Sequence, residues 1–344
     1  MIVELEKDMK DNEIVKKTKK LSKRLQITLG TAGIIAIVII LLSLSYYFFK
    51  VPEGLPQIII FGTTHGAIIS LLAIGLSLVY GVGGVMNLAH GGFYLMSGYI
   101  FYWTVTATKV FMPFGGIILG IIIVLIAITI IGAASYLLFI KPLMNSPIGV
   151  LMVTFAIAYF FQALILLIVQ VSHPLLMDEL IPGSITIFDV TFGAQNILII
   201  ILSLSIVIGV TIFISKTKLG KSIRAVAQDR EAAMLMGINA DRILMYVVMI
   251  SAFLTGVAAI LNVPKEYISP YVGWGILAES FAVVVLGGLG SLPGSVAGSF
   301  ILGYATSICN YLIDPSFAAL IPGIVIVVTL VLRPQGLFGK KEID

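Results

Sequence analysis

Phe114-Gly-Gly-Ile-Ile-Leu-Gly-Ile-Ile-Ile-Val-Leu-Ile-Ala-Ile-Thr-Ile-Ile-Gly-Ala-Ala-Ser-Tyr-Leu-Leu-Phe-Ile140 runs for 27 residues without a charge, and Thr129, Ser135 and Tyr136 are its only hydroxyl-bearing side chains. A helix of about 20 apolar residues spans the hydrocarbon core of a bilayer. Within that core a helix, unlike an open strand, pairs its own backbone donors and acceptors without water. The stretch therefore reads as a membrane crossing. The rest of the chain agrees: 59% of its 344 residues are hydrophobic and 11% are charged, where a soluble domain has about a quarter charged. Such an apolar surplus cannot be hidden in a water-soluble core. The segments polar enough for water, 1–26, 172–194, 215–242 and 333–344, are each too small to form a soluble catalytic domain.

Outward from that stretch, ten spans are expected, near 27–49, 57–80, 84–108, 114–140, 148–170, 194–214, 243–262, 277–290, 294–312 and 316–332, the eighth being short for a crossing. The expected fold is an all-α, polytopic integral membrane protein with about 8–10 transmembrane helices, some broken by glycine. Residues 1–26 read as a charged cytoplasmic leader, solvated or interfacial. Residues 27–49 read as an extra N-terminal anchor, because the apolar run ends in Ser45-Tyr46-Tyr47-Phe48-Phe49 with no small-residue cleavage site. The main transmembrane domain is 57–332, with a cytoplasmic loop at 215–242 and a cytoplasmic tail at 333–344.

Orientation follows from the basic residues. With the N-terminus inside, 18 of the 21 lysines and arginines fall on the inner side, leaving Lys50, Lys109 and Lys265 outside. The outer loop 172–194 carries Asp178, Glu179 and Asp189 and no basic residue. This is the bias of a multi-pass plasma-membrane protein with both termini cytoplasmic.

Two phosphate-binding patterns fail on inspection. Lys218-Leu-Gly220-Lys221-Ser222 has Ser215 where a nucleotide-binding loop needs its first glycine, and Gly288-Leu-Gly290 runs into Pro293. The histidines, His65, His90 and His173, do not stand at the spacing of a helical metal site, and the single Cys309 lies in an apolar run. No metal or cofactor is expected. Glu279 is the one carboxylate within an apolar run, functional or else interfacial near the outer end of its span.

Three features stand out. A weak echo links Gly83-Gly84 and Gly92–Tyr99 with Gly287-Gly288 and Ser299–Tyr304, read either as broken helices beside a translocation path or as glycine-rich close packing, which the pairs Gly62/Gly66, Gly116/Gly120 and Gly294/Gly298 also illustrate. Asn87 and His90 stand three apart, hence on one helical face, before Gly91-Gly92, where the helix is free to break. They line a cavity or bridge two helices. In the inner loop, Ser222 and Asp229 read as N-caps and Gly237 as a terminator, giving two short helices parted at Gln228-Asp229. Ala232, Leu235 and Met236 form an apolar stripe flanked by Arg230 and Glu231, which lies on lipid or docks into a partner's groove.

Glu231-Ala-Ala-Met-Leu-Met-Gly237 resembles the E-A-A-x-x-x-G signature by which permease subunits of ABC importers engage their ATPases, although the Leu-Pro that closes that signature is missing. Leu78-Val-Tyr-Gly-Val-Gly-Gly-Val-Met-Asn-Leu-Ala-His-Gly-Gly-Phe-Tyr94, Val283-Val-Val-Leu-Gly-Gly-Leu-Gly-Ser-Leu-Pro-Gly294 and Arg333-Pro-Gln-Gly-Leu-Phe-Gly339 are similar to the branched-chain amino-acid permeases of the LivH type. The resemblance covers about residues 57–340. It implies import of leucine, isoleucine and valine, in company with a second permease subunit (LivM-like), two cytoplasmic ABC ATPases and an extracellular or periplasmic substrate-binding protein. Hydrolysis would sit on those partner chains, so this chain would not be an enzyme. Arg230, Glu231, Ala232, Ala233, Leu235, Met236 and Gly237 would couple to the ATPase, and Asn87, His90, Gly91, Gly92, Gly287 and Gly288 would belong to the translocation path. Import of urea or short amides is the near alternative. An ion-coupled secondary carrier is the distant one, normally needing intramembrane carboxylates of which Glu279 is the sole candidate.

The orientation is testable with single cysteines in a Cys309→Ser background. A cysteine at residue 183 is expected to react with an impermeant thiol reagent on intact cells, and one at residue 228 only after permeabilisation. Equal labelling of both on intact cells would be incompatible with the charge bias.

Overall fold

A computed structural model describes residues 54–109, 111–169, 174–187 and 190–339. The leader and the expected 27–49 anchor lie outside the described residues. The helices, numbered along the described chain, are α1 (Leu55–Gly83), α2 (Ala89–Thr108), α3 (Pro113–Ser135), α4 (Pro147–Val169), α5 (Ala194–Lys216), α6 (Lys218–Gln228), α7 (Arg230–Leu235), α8 (Ala240–Asn262), α9 (Val272–Gly287), α10 (Leu292–Leu312), α11 (Pro315–Ala318) and α12 (Ile321–Leu332). Helix α3 continues as a π turn, Tyr136–Ile140, and a 3-10 turn, Lys141–Leu143, the tightening coming where Pro142 removes a backbone donor. A small antiparallel ribbon, β1 (Ser184–Ile187) and β2 (Val190–Gly193), pairs Ser184 with Gly193 and Ile187 with Val190.

Seven of these segments are long and apolar enough to cross a membrane. Helix α2 adds 20 residues of more polar composition and α9 a shorter 16. The molecule is a multi-pass membrane protein. Two expected spans shift. The helix expected from residue 84 begins at Ala89, because Gly84 takes a left-handed conformation (φ 67°) and donates to Tyr80 O at 2.8 Å, ending α1. The short eighth span runs Val272–Gly287 rather than 277–290.

The chain has two distinct ends. Lys141, the α6–α7 pair and Arg333 mark a basic end, where α6 packs on α1 and α8. The ribbon marks the other, the hairpin end, and backbone bonds of 2.9 Å in both directions between Leu175 and Ile268 tie the α8–α9 connection to it.

Burial runs against hydropathy. The most apolar spans, Gly115–Leu143 and Ala194–Lys216, are 22% buried over their apolar windows, whereas α1 and α8 are 83% and 72% buried. Lipid tails are as apolar as isoleucine, so nothing is gained by burying it, and close van der Waals packing between small residues selects the interior instead. Helix α1 accordingly sits at the centre, against α5, α8, α9 and α10. Its tightest partner is α10, where a Cβ on Gly303 would stand 2.6 Å from both Gly62 O and Gly66 N. That approach lets Ser307 Oγ donate to Ile58 O at 3.2 Å and brings the Thr63 and Tyr304 hydroxyls to 2.8 Å.

Replacing Gly303 with leucine is therefore expected to separate α1 from α10 and lower stability by about 1–3 kcal/mol, the usual cost of overpacking. Thermal unfolding of the detergent-solubilised protein measures it. Gly209→Leu is the control, since a Cβ at Gly209 meets nothing within 4 Å; equal midpoints for the two variants would contradict the packing.

Candidate functional site

Asn87 precedes α2 instead of lying within it, so Asn87 and His90 do not share a helical face. The Asn87 side chain accepts from Ala89 N at 3.1 Å, two residues on, and holds the turn that leads into the helix. His90 is fully buried, with Nδ1 at 3.3 Å from Ser251 Oγ and 3.2 Å from Thr255 Oγ1 on α8. The chain breaks at Gly84–Leu88, ahead of Gly91-Gly92, which lie inside the first turn of α2. These two glycines serve as contacts: Gly91 abuts the Gly273 carbonyl, and a Cβ on Gly92 would come 3.0 Å from Ala158 Cα.

Gly287 and Gly288 end α9 at the basic end, where Gly287 packs on Gly294 of α10. The end carbonyls of a helix lack intrahelical donors. Here the Arg333–Gly339 tail supplies them: Leu337 N donates to Leu286 O at 2.7 Å and Phe338 N to Gly287 O at 2.9 Å. Gly288, with φ 101°, leaves room for the tail, and a Cβ there would stand 2.5 Å from Gly339 N. Beside these glycines α1 meets the α9–α10 turn, since a Cβ on Gly81 would lie 3.4 Å from Gly290 Cα.

The inner loop folds as two short helices parted between Gln228 and Arg230. Asp229 caps α7, accepting from Ala232 N at 2.9 Å. Ser222 is not a cap: α6 starts earlier, with Thr217 Oγ1 accepting from Gly220 N at 3.0 Å, and Ser222 Oγ donates back to Lys218 O. Gly237, at φ 84°, closes α7, and Ile238 N bonds Ala233 O at 3.1 Å. Ala233 faces inward, while Leu235 and Met236 are 88% and 82% exposed, with Ala232 and Glu231 beside them. Arg230 Nη2 donates to Asp241 Oδ1 at 2.9 Å, fastening α7 to the first turn of α8.

At the hairpin end lies a feature that the sequence reading missed. His65 Nε2 and Glu279 Oε2 stand 3.7 Å apart, their side chains only 26% and 22% exposed. Glu279 occupies the middle of α9, not its outer end. The pair, together with Glu266, lines two adjoining pockets, a more polar larger lobe and a mainly apolar smaller one. The larger, about 450 Å³, is lined by Gln57, Phe61, Lys265, Glu266, Thr306 and Asn310 among others. The smaller, about 270 Å³, includes Asn262, Glu266, Ile68, Val272 and Ile276. Lys265 reaches over the Phe61 ring at 5.6 Å; burial pulls its ammonium below the usual lysine range while the Glu266 charge pushes it back up. Asn262 Nδ2 donates to Glu266 Oε2 at 3.1 Å and to Tyr94 OH at 3.0 Å. The fourfold spacing of Gln57, Phe61 and His65 and the Thr306/Asn310 pair were the available signals. None of Asn87, His90, Gly91, Gly92, Gly287 or Gly288 lines this cavity. Among the described residues no cluster of three His, Cys, Asp or Glu side chains has the arrangement of a metal site.

A family profile described as "Branched-chain amino acid transport system / permease component" matches residues 58–330. The chain is 29% identical to the high-affinity branched-chain amino acid transport system permease protein LivH of Salmonella typhimurium, covering 82% of this chain and 95% of that one. It is 28% identical to BraD, the protein of the same description in Pseudomonas aeruginosa, over 84% and 97% of the two chains. A probable LivH permease of Methanocaldococcus jannaschii is 28% identical over 80% and 90%.

The tail clamp predicts a specific loss. Gly336 has φ 71°, and the space for a side chain there is filled by the backbone of Gly288. Gly336→Val is expected to release the two capping bonds and cost about 2 kcal/mol, the sum of left-handed strain and uncapped carbonyls. Thermal unfolding in detergent reads it, and an unchanged midpoint would show that the tail contributes nothing to α9.

Proposed function

The chain belongs to the family of branched-chain amino acid transport permease components, and from that premise we propose that it is the membrane-spanning permease subunit of an ABC importer for leucine, isoleucine and valine. Its relatives are transport subunits and not enzymes, and in this reading ATP is hydrolysed by two partner ATPases at the basic end. A second, LivM-like permease completes the pore, and a substrate-binding protein delivers the amino acid to the hairpin end. The basic end is then cytoplasmic, as the lysine and arginine bias favours.

The observation that carries the reading is α7. A six-residue helix held by its own cap and turned back at Gly237 presents Leu235 and Met236 away from the molecule. Exposed large apolar side chains on a rigid platform suit a partner's groove. An ATPase closing around ATP can displace the permease only through contacts that differ between its states. Here such contacts would reach α8 through the Arg230–Asp241 pair, and α8 runs buried through the molecule. Arg230 and Glu231 would set register at the groove's rim, and Ala233, packed inward, would hold α7 to the permease itself. Asn87, His90, Gly91, Gly92, Gly287 and Gly288 would flank the path as close-packed helix breaks about which α2 and α9 shift.

Co-expressed with its partner subunits and reconstituted with loaded binding protein, the wild-type chain is expected to import labelled leucine in competition with isoleucine and valine. Import of urea or a short amide instead would redirect the substrate assignment. Gly237→Val forces a β-branched residue to φ 84°. Ala232→Arg places a charge beside the exposed stripe. Each is expected to reduce uptake by about tenfold or more, the effect of losing about 1.4 kcal/mol or more of coupling, while the protein still inserts. Full ligand-stimulated hydrolysis and uptake in both variants would mean that α7 merely lies on the lipid surface.

A further inference from the structure

We propose that the two-lobed cavity at the hairpin end is a binding site for a zwitterionic α-amino acid, with the His65–Glu279 pair at its centre. The inference rests on the transport reading above and adds to it a site and the charge state of its ligand. Four buried polar atoms of cavity-lining residues make no hydrogen bond within the protein: Thr306 Oγ1, Asn262 Oδ1, and the mutually facing His65 Nε2 and Glu279 Oε2, whose 3.7 Å separation is an ion-pair distance. Buried polar groups without partners are costly. His65 and Glu279 line both lobes, Thr306 the larger and Asn262 the smaller, so a polar ligand at their junction has groups of α1, α8, α9 and α10 to complete.

The charges around that space have the pattern of an amino acid's head. Glu279 and Glu266, which border both lobes, offer two carboxylates to an ammonium group. Lys265 lies beside them in the larger lobe with the Asn310 amide and the Thr306 hydroxyl, donors for a carboxylate. Ile68, Val272 and Ile276 in the smaller lobe give an aliphatic wall for a branched side chain. The larger lobe, about 450 Å³, is of the size that holds small ligands, and the smaller adds about 270 Å³. A neutral amide or urea would meet the same polar groups but bring no charges for Glu279, Glu266 and Lys265 to pair with. A site built for charged partners discriminates strongly against ligands that lack them. Glu266 is already oriented, because Asn262 at the end of α8 holds one of its oxygens.

The test uses the complete transporter in proteoliposomes with tritiated leucine. Glu279→Gln, which keeps shape and removes charge, and Lys265→Met are each expected to lower leucine uptake by about tenfold or more, the worth of one charged hydrogen bond. Co-purification of the partner subunits checks that the variants assemble. A cysteine at Gln57, in a Cys309→Ser background with Glu279 and Lys265 intact, is expected to react several-fold more slowly with a thiol reagent when leucine saturates the transporter, and urea is expected to give no protection. Wild-type leucine uptake reports on the transport reading, while the protection and the variant ratios report on the site. If leucine is imported yet both variants keep within twofold of the wild-type rate, or leucine does not slow labelling at residue 57, the cavity is a solvent vestibule and the site assignment falls.

Discussion

Everything in this molecule depends on how closely two backbones can approach inside a solvent as apolar as their own side chains. In water, the isoleucines of α3 and α5 would be driven inward; in a bilayer they gain nothing there and face outward. What remains to hold α1 at the centre is contact between helices stripped of side chains, as at Gly62, Gly66 and Gly303. The hydroxyl bonds of Ser307 and Thr63 form because those glycines allow the approach. An interior made in this way is rich in small and polar groups, and so it can accommodate a buried histidine and a half-buried carboxylate without a separate polar channel being built for them.

Helix α8 joins the features that matter. Its first turn receives Arg230 through Asp241, its middle presents Ser251 and Thr255 to His90, and its last residue, Asn262, orients Glu266 at the cavity. With 72% of its apolar window buried, it has little room to bend independently of its neighbours. A displacement of α7 would therefore be felt along the whole rod. In the proposed cycle the same element that is moved by the ATPase also carries a side chain that shapes the amino-acid site.

The sequence made some of this legible and not the rest, for reasons tied to range. Membrane spans are decided by local composition, so α3, α4, α5 and α8 fall close to their expected positions. Asp229 and Gly237 act within one turn of themselves and were readable as caps; Ser222 was misread because Thr217, five residues earlier, also offers a hydroxyl and stands where α5 ends. The Asn87/His90 spacing misled because it presumed a helix that Gly84 had already ended. The cavity was invisible for a different reason. His65 and Glu279 are more than two hundred residues apart, and no local pattern pairs a histidine of α1 with a carboxylate of α9. The packing of α1 directly against α9 brings them together.

The clamp between the Arg333–Gly339 segment and α9 also sets an order on biosynthesis. Leu337 is made fifty residues after Gly287, so when α9 leaves the ribosome the donors for its last carbonyls do not yet exist. Helices α10, α11 and α12 must be threaded into the bilayer while that end of α9 is solvated or borrows other partners. The final lock closes only when the segment folds back beneath the finished bundle, bringing Leu337 N to Leu286 O and Phe338 N to Gly287 O. The seam therefore joins late residues to a helix laid down two membrane spans earlier.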